Sequence, residues 1–313
     1  MRLLKAEEDG EFGLIEFIGD KIPRYAILSH TWGADGEEVT YEDLTRGTGK
    51  SKAGYQKIRF CGKQAATDGL QYFWVDTCCI DKSSSAELSE AINSMFRWYH
   101  DAGNCYVYLS DVSIGGSSKN GQFSQETWEP AFQKSRWFTR GWTLQELIAP
   151  ASVVFFSVEG ERLGDKKSLE RQIHDITGIT PQALQGAPLS HFGVDKRMSW
   201  AAKRETKREE DAAYSLLGIF DIHMPLIYGE GRKKALARLQ KEIKDGSKRQ
   251  EGMAPMSLSC LLILMTQLMT LLGSCPSTEI PALPVVNPSL VSSKKSSLKE
   301  IKPRRSQSRD LGG

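Results

Sequence analysis

The chain has 313 residues, of which 40% are hydrophobic and 26% are charged. Its 41 basic and 39 acidic residues leave a formal net charge of +2, so it has no global field that would attract nucleic acid. We therefore predict a soluble globular protein with one main domain plus additions, and we expect no nucleic-acid partner.

The first 20 residues are predicted to be a charged N-terminal lead. They open with "MRLLKAEEDGEFGL", which has acidic residues where a secretory signal needs an apolar run. None of the six cysteines belongs to a CxxC pair, and no paired histidine or cysteine spacing suits a metal. We therefore expect a cytoplasmic protein with reduced thiols and no metal site.

Short apolar runs then alternate with helical patterns. The intervening segments "AGYQKIRFCGKQAATDGL" and "ELSEAINSMFRWYHDAG" have helical spacing, and Ser84 with Glu87 forms a capping-box pattern before the second. Apolar runs of this kind suit strands that are covered on both faces. Four of them predict an α/β fold with a doubly wound parallel sheet: Tyr25–Ser29, Gln71–Asp76, Cys105–Val112 and Ser152–Ser157.

Polar residues cluster where these strands end. "SHTWG" (29–33) follows the first, "DTCCIDK" (76–82) follows the second, and Asp111 follows the third. Ligands of doubly wound sheets bind beyond the carboxyl ends of the strands. The clusters predict a ligand site there, although strand ends also favour Ser, Asp and Gly for turn chemistry.

The stretch "SRWFTRGWTLQELIAP" (135–150) places one carboxylate, Glu146, in an otherwise apolar helix. Two interpretations stay open. Glu146 is either a functional acid or a structural one, paired with Arg136 or Arg140 or bonded to a backbone amide. By their large apolar area, Trp137 and Trp142 are better suited to the core than to a ligand platform.

Residues 161–245 are predicted to be a helical extension. In it, Tyr214, Leu217 and Ile219 lie close together, and Leu236, Leu239 and Ile243 form one apolar stripe. Residues 246–313 are a low-complexity tail that we expect to be disordered. Its apolar segment 256–275 just reaches the length of a membrane span, but polar residues interrupt it. Membrane contact is therefore disfavoured, and a partner-binding helix or a misread end of the coding sequence would explain the segment equally well.

Four ordered segments carry a resemblance to a known family: "YAILSHTWG", "FWVDTCCIDK", "ELSEAINSMFRWYHDAGNCYVYLSDV" and "SRWFTRGWTLQELIAP". Together they resemble the fungal heterokaryon-incompatibility (HET) domain over residues 21–160, and "RMSWAAKRETKREEDAAYSLLGIF" (197–220) resembles the helical extension that often follows it. The resemblance implies a fungal protein of non-self recognition whose activation triggers regulated cell death.

A second resemblance concerns mechanism. The order of elements is similar to that of Toll/interleukin-1 receptor (TIR) domains, which implies a flavodoxin-like sheet. The segment "WTLQEL" looks like the helix that carries the catalytic glutamate of TIR NAD hydrolases, which implies that Glu146 is catalytic and that NAD is the candidate substrate. One carboxylate suffices in principle, because the nicotinamide leaving group is already cationic and the transition state resembles an oxocarbenium ion.

The loop positions suggest which residues would bind NAD. Trp32 and Trp142 could stack on a ring, and Ser29 and Gly33 could approach phosphate. The remaining candidates in this set are His30 and Asp76. A Cys78 or Cys79 nucleophile paired with His30 is a less favoured alternative, because adjacent cysteines beside a strand are usually buried.

Two function classes therefore stay open. The first is an NAD-consuming effector, and the second is a non-enzymatic adaptor that signals by oligomerising. Both imply self-association. The first 245 residues contain no P-loop that fits its spacing, since "GTGKS" (47–51) has Leu44 where the first glycine is required. A separate sensor protein is therefore a candidate partner.

Overall fold

The computed structural model describes residues 1–7, 11–19, 21–115 and 125–252. The strands are β1 Arg2–Ala6, β2 Phe12–Glu16, β3 Tyr25–His30, β4 Tyr72–Trp74, β5 Asn104–Tyr108, β6 Val153–Phe156 and β7 Arg162–Asp165. They form one sheet in the order β2-β1-β4-β3-β5-β6-β7.

The centre of the sheet is parallel, as predicted. β3 pairs with β4 and β5, and β5 pairs with β6, all in parallel. Counted along the chain, these four strands stand in the order 2-1-3-4, with which flavodoxin-like sheets also begin. Every residue of β3 is buried, as expected of a strand that is covered on both faces.

The edges of the sheet depart from the fully parallel prediction. Residues 1–20 are not merely a lead, because β1 and β2 form an antiparallel hairpin and β1 pairs with β4. At the other edge, β7 lies within the predicted helical extension and pairs antiparallel with β6. The sheet is therefore mixed, and it extends beyond residues 21–160 in both directions.

The helices follow the predicted pattern along most of the chain. They are α1 Tyr41–Arg46, α2 Tyr55–Thr67, α3 Ser85–Asp101, α4 Gln125–Gln133, α5 Thr143–Ile148, α6 Glu170–Thr177, α7 Pro181–Leu184, α8 Val194–Ala201, α9 Asp211–Tyr214, α10 Leu217–Phe220 and α11 Arg232–Gly252. Ser84 caps α3 by accepting a hydrogen bond from the Glu87 amide. The Glu87 carboxylate binds Arg2 and the Asp81 amide, so only half of the predicted capping box forms.

The helical extension packs onto the sheet domain through the residues that the sequence indicates. Tyr214, Leu217 and Ile219 are each about 1% exposed. Leu239 is fully buried in the same core, while Leu236 and Ile243 are partly buried against it. Part of the extension thus completes the core beside α3 and α5.

The sequence predicts a disordered tail from residue 246, but residues 246–252 belong to helix α11, so the prediction of disorder is wrong for them. The rest of the predicted tail lies outside the described residues. The predictions of disorder for residues 253–313, and of an apolar segment at 256–275, therefore stay predictions. Within the ranges that the structure describes, no helix combines the length and the apolar character that a bilayer crossing requires.

Candidate functional site

Helix α5 carries Glu146 into the interior, and all six of its residues are buried. It follows a 3₁₀ turn at Arg136–Thr139. The backbone on either side of this turn is tied to the extension, since Glu205 donates to Thr139 and accepts from Gly141 at 2.6 and 2.8 Å. This pairing fixes the entry into α5, so the extension helps to position Glu146.

The Glu146 carboxyl ends in a hydrogen-bonded network with β3. The Ser29 hydroxyl donates to Glu146 Oε2 at 2.5 Å, across a sequence separation of 117 residues. The same hydroxyl accepts from the indole N–H of Trp137 at 2.8 Å. Ser29 and Trp137 are fully buried and Glu146 is 7% exposed, so a predicted site residue and a predicted core residue together hold the acid away from solvent.

Burial raises the pKa of Glu146 to about 8, against partial compensation by the hydrogen bond from Ser29. The charge of Asp76 raises this pKa further, whereas Tyr99 and Arg204 lower it. The carboxyl group is therefore mostly protonated at neutral pH. In this state it is a hydrogen-bonding acid and not an anion.

The predicted ion pair of Glu146 with Arg136 or Arg140 is wrong. Arg136 donates to the backbone oxygen of Trp32, and no cation of the described residues lies within 4.0 Å of the Glu146 carboxylate. The guanidinium that interacts electrostatically with the Glu146 carboxyl belongs to Arg204, 58 residues later in the chain.

Arg204 is a buried structural cation beside this network. It donates to the backbone oxygens of Trp200 and Arg140 and to the Thr143 hydroxyl. Burial lowers its pKa to about 10, against the opposing effect of the Glu146 charge. Sequence reasoning missed this residue, because nothing in the spacing of a basic helical segment marks one arginine as buried.

His30, Asp76 and Trp32 form a second cluster at the same edge of the sheet. Asp76 Oδ1 lies 3.0 Å from His30 Nε2, and Asp76 Oδ2 accepts from the Trp32 indole at 3.0 Å. Although burial opposes it, the charge of Lys82 and the hydrogen bonds from His30 and Trp32 hold the pKa of Asp76 well below its usual range. Asp76 is therefore the ionised carboxylate here, and Glu146 the neutral one.

Lys82 covers the ring that was predicted to stack on a ligand. Its ammonium lies 3.8 Å from the centroid of the Trp32 ring and 3.7 Å from Asp76 Oδ2. Trp32 remains 40% exposed. A planar ligand would have to take the other face of this ring or displace Lys82.

Gly33 and Trp142 have partners of their own. The Gly33 amide donates to Glu38 Oε1 at 2.7 Å, and Glu38 is paired with Lys57, so a carboxylate already occupies the position predicted for phosphate. The Trp142 indole donates to Asp211 of the extension at 3.1 Å. The structure thus brings together Ser29 with Glu146 and His30 with Trp32 and Asp76, but it does not place Gly33 or Trp142 in either cluster.

The cysteine alternative has no geometric support. Cys78 and Cys79 are buried, and a hydrogen bond between them together with burial raises the pKa of Cys78 well above its ordinary value. The Nε2 atom of His30 is hydrogen-bonded to Asp76 and not to a cysteine. Across residues 1–7, 11–19, 21–115 and 125–252, no three His, Cys, Asp or Glu side chains are grouped as metal ligands.

Comparison with known proteins agrees with the resemblance read from the sequence. Residues 25–124 match the family described as "Heterokaryon incompatibility protein (HET)". Over 244 residues the chain is 62% identical to "Vegetative incompatibility protein HET-E-1" of Podospora anserina. This alignment covers 78% of the chain and 18% of that relative, so the chain spans less than a fifth of its length. No solved structure matches the chain.

Proposed function

We propose that this chain, which contains a HET domain at residues 25–124, is an effector unit of fungal non-self recognition that triggers regulated cell death. The observation that carries the proposal is the 62% identity to a protein named for vegetative incompatibility. The aligned length exceeds the HET match itself, so the likeness includes part of the helical extension. The unit would act in the cytoplasm.

The geometry favours a structural role for Glu146 in this unit. Its carboxyl is 7% exposed, it accepts a hydrogen bond from Ser29, and its raised pKa keeps it neutral near pH 7. A buried, neutral acid cannot stabilise the positive charge that develops when a glycosidic bond breaks. We therefore favour signalling by assembly with further copies, triggered by a separate sensor protein, over catalysis by the isolated chain.

NAD hydrolysis is the second candidate, and one observation favours it. Two acidic side chains lie where the parallel strands end. Asp76 is ionised, and Glu146 is protonated. Pairs of acids whose pKa values are driven apart recur at catalytic sites. In this mechanism, assembly would expose and ionise Glu146 and would move Lys82 away from the face of Trp32.

The proposed function is tested by inducible expression of the full chain in a filamentous fungus, with cell viability and cellular NAD as readouts. A Leu28→Asp variant, which places a charge at a fully buried position, provides the unfolded control. We expect the wild type to kill and Leu28→Asp not to. Folded wild-type protein that accumulates without loss of viability would contradict the effector function, and loss of NAD before death would favour the second candidate mechanism.

A further inference from the structure

A large cavity lies away from both polar clusters, at the C-terminal end of α5. Its volume is about 1120 Å³, and it is bounded by α3, the end of α5, α7, α10 and the C-terminal half of α11. Somewhat more than half of the wall is apolar, with Phe96, Ile148, Leu184 and Phe220 among its residues. Its basic residues and histidines are Arg97, His100, Lys166, Lys167, Arg197 and His223. This volume is slightly above the range of roughly 300–1,000 Å³ that is usual for small-molecule sites.

Lys166 is a buried cation in the wall of this cavity. The residue is only 7% exposed, and its ammonium donates to the backbone oxygens of Pro150 and Leu147 at 2.6 and 3.4 Å. No carboxylate of the described residues lies within 4.0 Å of it. Burial lowers its pKa to about 8, as expected of a charge without a counter-charge.

Arg197 adds a second, independent indication in the same wall. Its guanidinium lies 4.5 Å from the centroid of the Phe220 ring and donates from Nη1 to the backbone oxygen of Ile219. Its Nε is buried and has no hydrogen-bond partner. Leaving a buried donor without a partner is destabilising, so this atom marks a position where an acceptor is missing.

The carboxylates of the wall do not neutralise these two cations. Glu170 accepts from the Gln185 side chain at 2.6 Å. Among the described residues, neither Asp221 nor Glu242 lies within 4.0 Å of Lys166 or Arg197. The cavity therefore combines apolar walls with uncompensated positive charge.

We propose that this cavity binds a small organic phosphate of nucleotide size, with Lys166 and Arg197 binding its phosphate and the apolar wall holding its body. A phosphate group supplies both the negative charge that Lys166 lacks and the acceptor that Arg197 Nε lacks. Because the volume far exceeds that of an inorganic ion, the ligand is expected to have an organic body. This site does not depend on the effector function.

The test is binding by the purified full chain, measured by calorimetry and thermal shift at matched ionic strength. The probes are adenosine monophosphate, inorganic phosphate and adenosine. Adenosine monophosphate should bind and raise Tm, inorganic phosphate should bind more weakly, and adenosine should have no effect. If adenosine binds as well as its monophosphate, or if none of the probes binds, the proposal is wrong.

Paired lysine variants locate the site. Lys166→Met should weaken binding of adenosine monophosphate about tenfold or more, because a charge-assisted hydrogen bond is lost. Lys63→Met, at an exposed position outside the cavity wall, should bind like the wild type. Unchanged affinity in Lys166→Met would overturn the assignment.

Lys166 also binds carbonyl oxygens at the end of α5, and a purely structural role predicts a different result. In that role Lys166→Met would have a lower Tm than the wild type in the absence of ligand. If Lys166 is instead a buried charge without a counter-charge, the variant should have an equal or higher Tm than the wild type. If Lys166→Met does not fold, Arg197→Met applies the same affinity criterion, and wild-type affinity in that variant would count against the site.

Discussion

At the scale of single residues, the carboxyl ends of the strands hold two acids in opposite states. Asp76 has three groups that stabilise its charge, namely Lys82, His30 and Trp32. Ser29, Tyr99 and Arg204 favour the ionised form of Glu146, but together they do not offset its burial. Neighbouring groups, and not residue type, therefore decide which of the two acids is ionised.

The raised pKa of Glu146 predicts a pH dependence of stability. The folded chain holds this proton up to about pH 8, whereas the unfolded chain releases it near the ordinary value for Glu, so the folded state binds more protons between these limits. The contribution is therefore fully present at low pH and is lost as pH rises through about 8. Relative to Glu146→Gln, the wild type should lose roughly 3 kcal/mol of unfolding free energy between pH 5 and pH 8.

Urea unfolding of the two proteins at several pH values measures this difference. The variant serves as the control for all other titrating groups, because they are common to both proteins. A difference that stays constant from pH 5 to pH 8 would show that Glu146 ionises in the folded chain as it does in water.

Ser29 is predicted to be the residue on which the network depends most. Ser29→Ala removes the donor to Glu146 and the acceptor of the Trp137 indole, and it should cost about 1–3 kcal/mol of unfolding free energy because buried partners are left unsatisfied. Ser199→Ala is the matched control, since its exposed hydroxyl bonds only the Lys196 backbone oxygen. Equal stability of the two variants in urea would contradict the network.

At the scale of elements, the parallel core could be predicted from the sequence and the edges could not. The four central strands are continuous apolar runs, and a buried parallel strand requires such a run. β7, with the sequence "RLGD", has one large apolar residue. β1 and β2 lie among charged residues, which favour an unpaired N-terminal segment. Their pairing is decided by the open edge of β4, which the local sequence does not show.

The N-terminal hairpin is predicted to be essential to the core. Leu4 is fully buried where β1 pairs with Phe73 of β4, so Leu4→Ala should cost about 2–5 kcal/mol of unfolding free energy. Ile18, which is 87% exposed just after β2, provides the control, and Ile18→Ala should change stability by less than about 0.5 kcal/mol. A small effect of Leu4→Ala in chemical denaturation would mean that the hairpin is dispensable.

Two glycines should respond oppositely to substitution by alanine. A Cβ at Gly218 would lie 2.1 Å from the Phe96 Cβ, where α10 packs against α3, so Gly218→Ala should destabilise the chain by about 1–3 kcal/mol through overpacking. A Cβ at Gly246 of α11 would meet nothing within 4 Å, so Gly246→Ala should stabilise its helix by up to about 1 kcal/mol. Thermal unfolding measures both, and equal shifts of the same sign would contradict the packing.

At the scale of the whole molecule, the sequence predicted where the site residues gather but not how they are paired. The carboxyl ends of adjacent parallel strands share one edge, and this rule correctly brings Ser29, His30 and Asp76 to the same region. The partner of Glu146 could not be predicted, because it depends on how α5 meets β3 across 117 residues. Arg204 and Asp211 enter from the extension, whose packing no local pattern specifies.

The central proposal, that the chain is a cell-death effector in which Glu146 serves as a buried neutral acid, is tested most directly by Glu146→Gln in the killing assay. Glutamine matches the neutral acid in shape, can still accept from Ser29 and needs no proton to stay neutral, so near pH 7 the variant should have a Tm equal to or above that of the wild type and should kill as efficiently. Glu146→Ala should lose stability and killing together. A Glu146→Gln variant that folds normally but neither kills nor lowers cellular NAD would contradict the account and would assign catalysis to the ionised carboxylate.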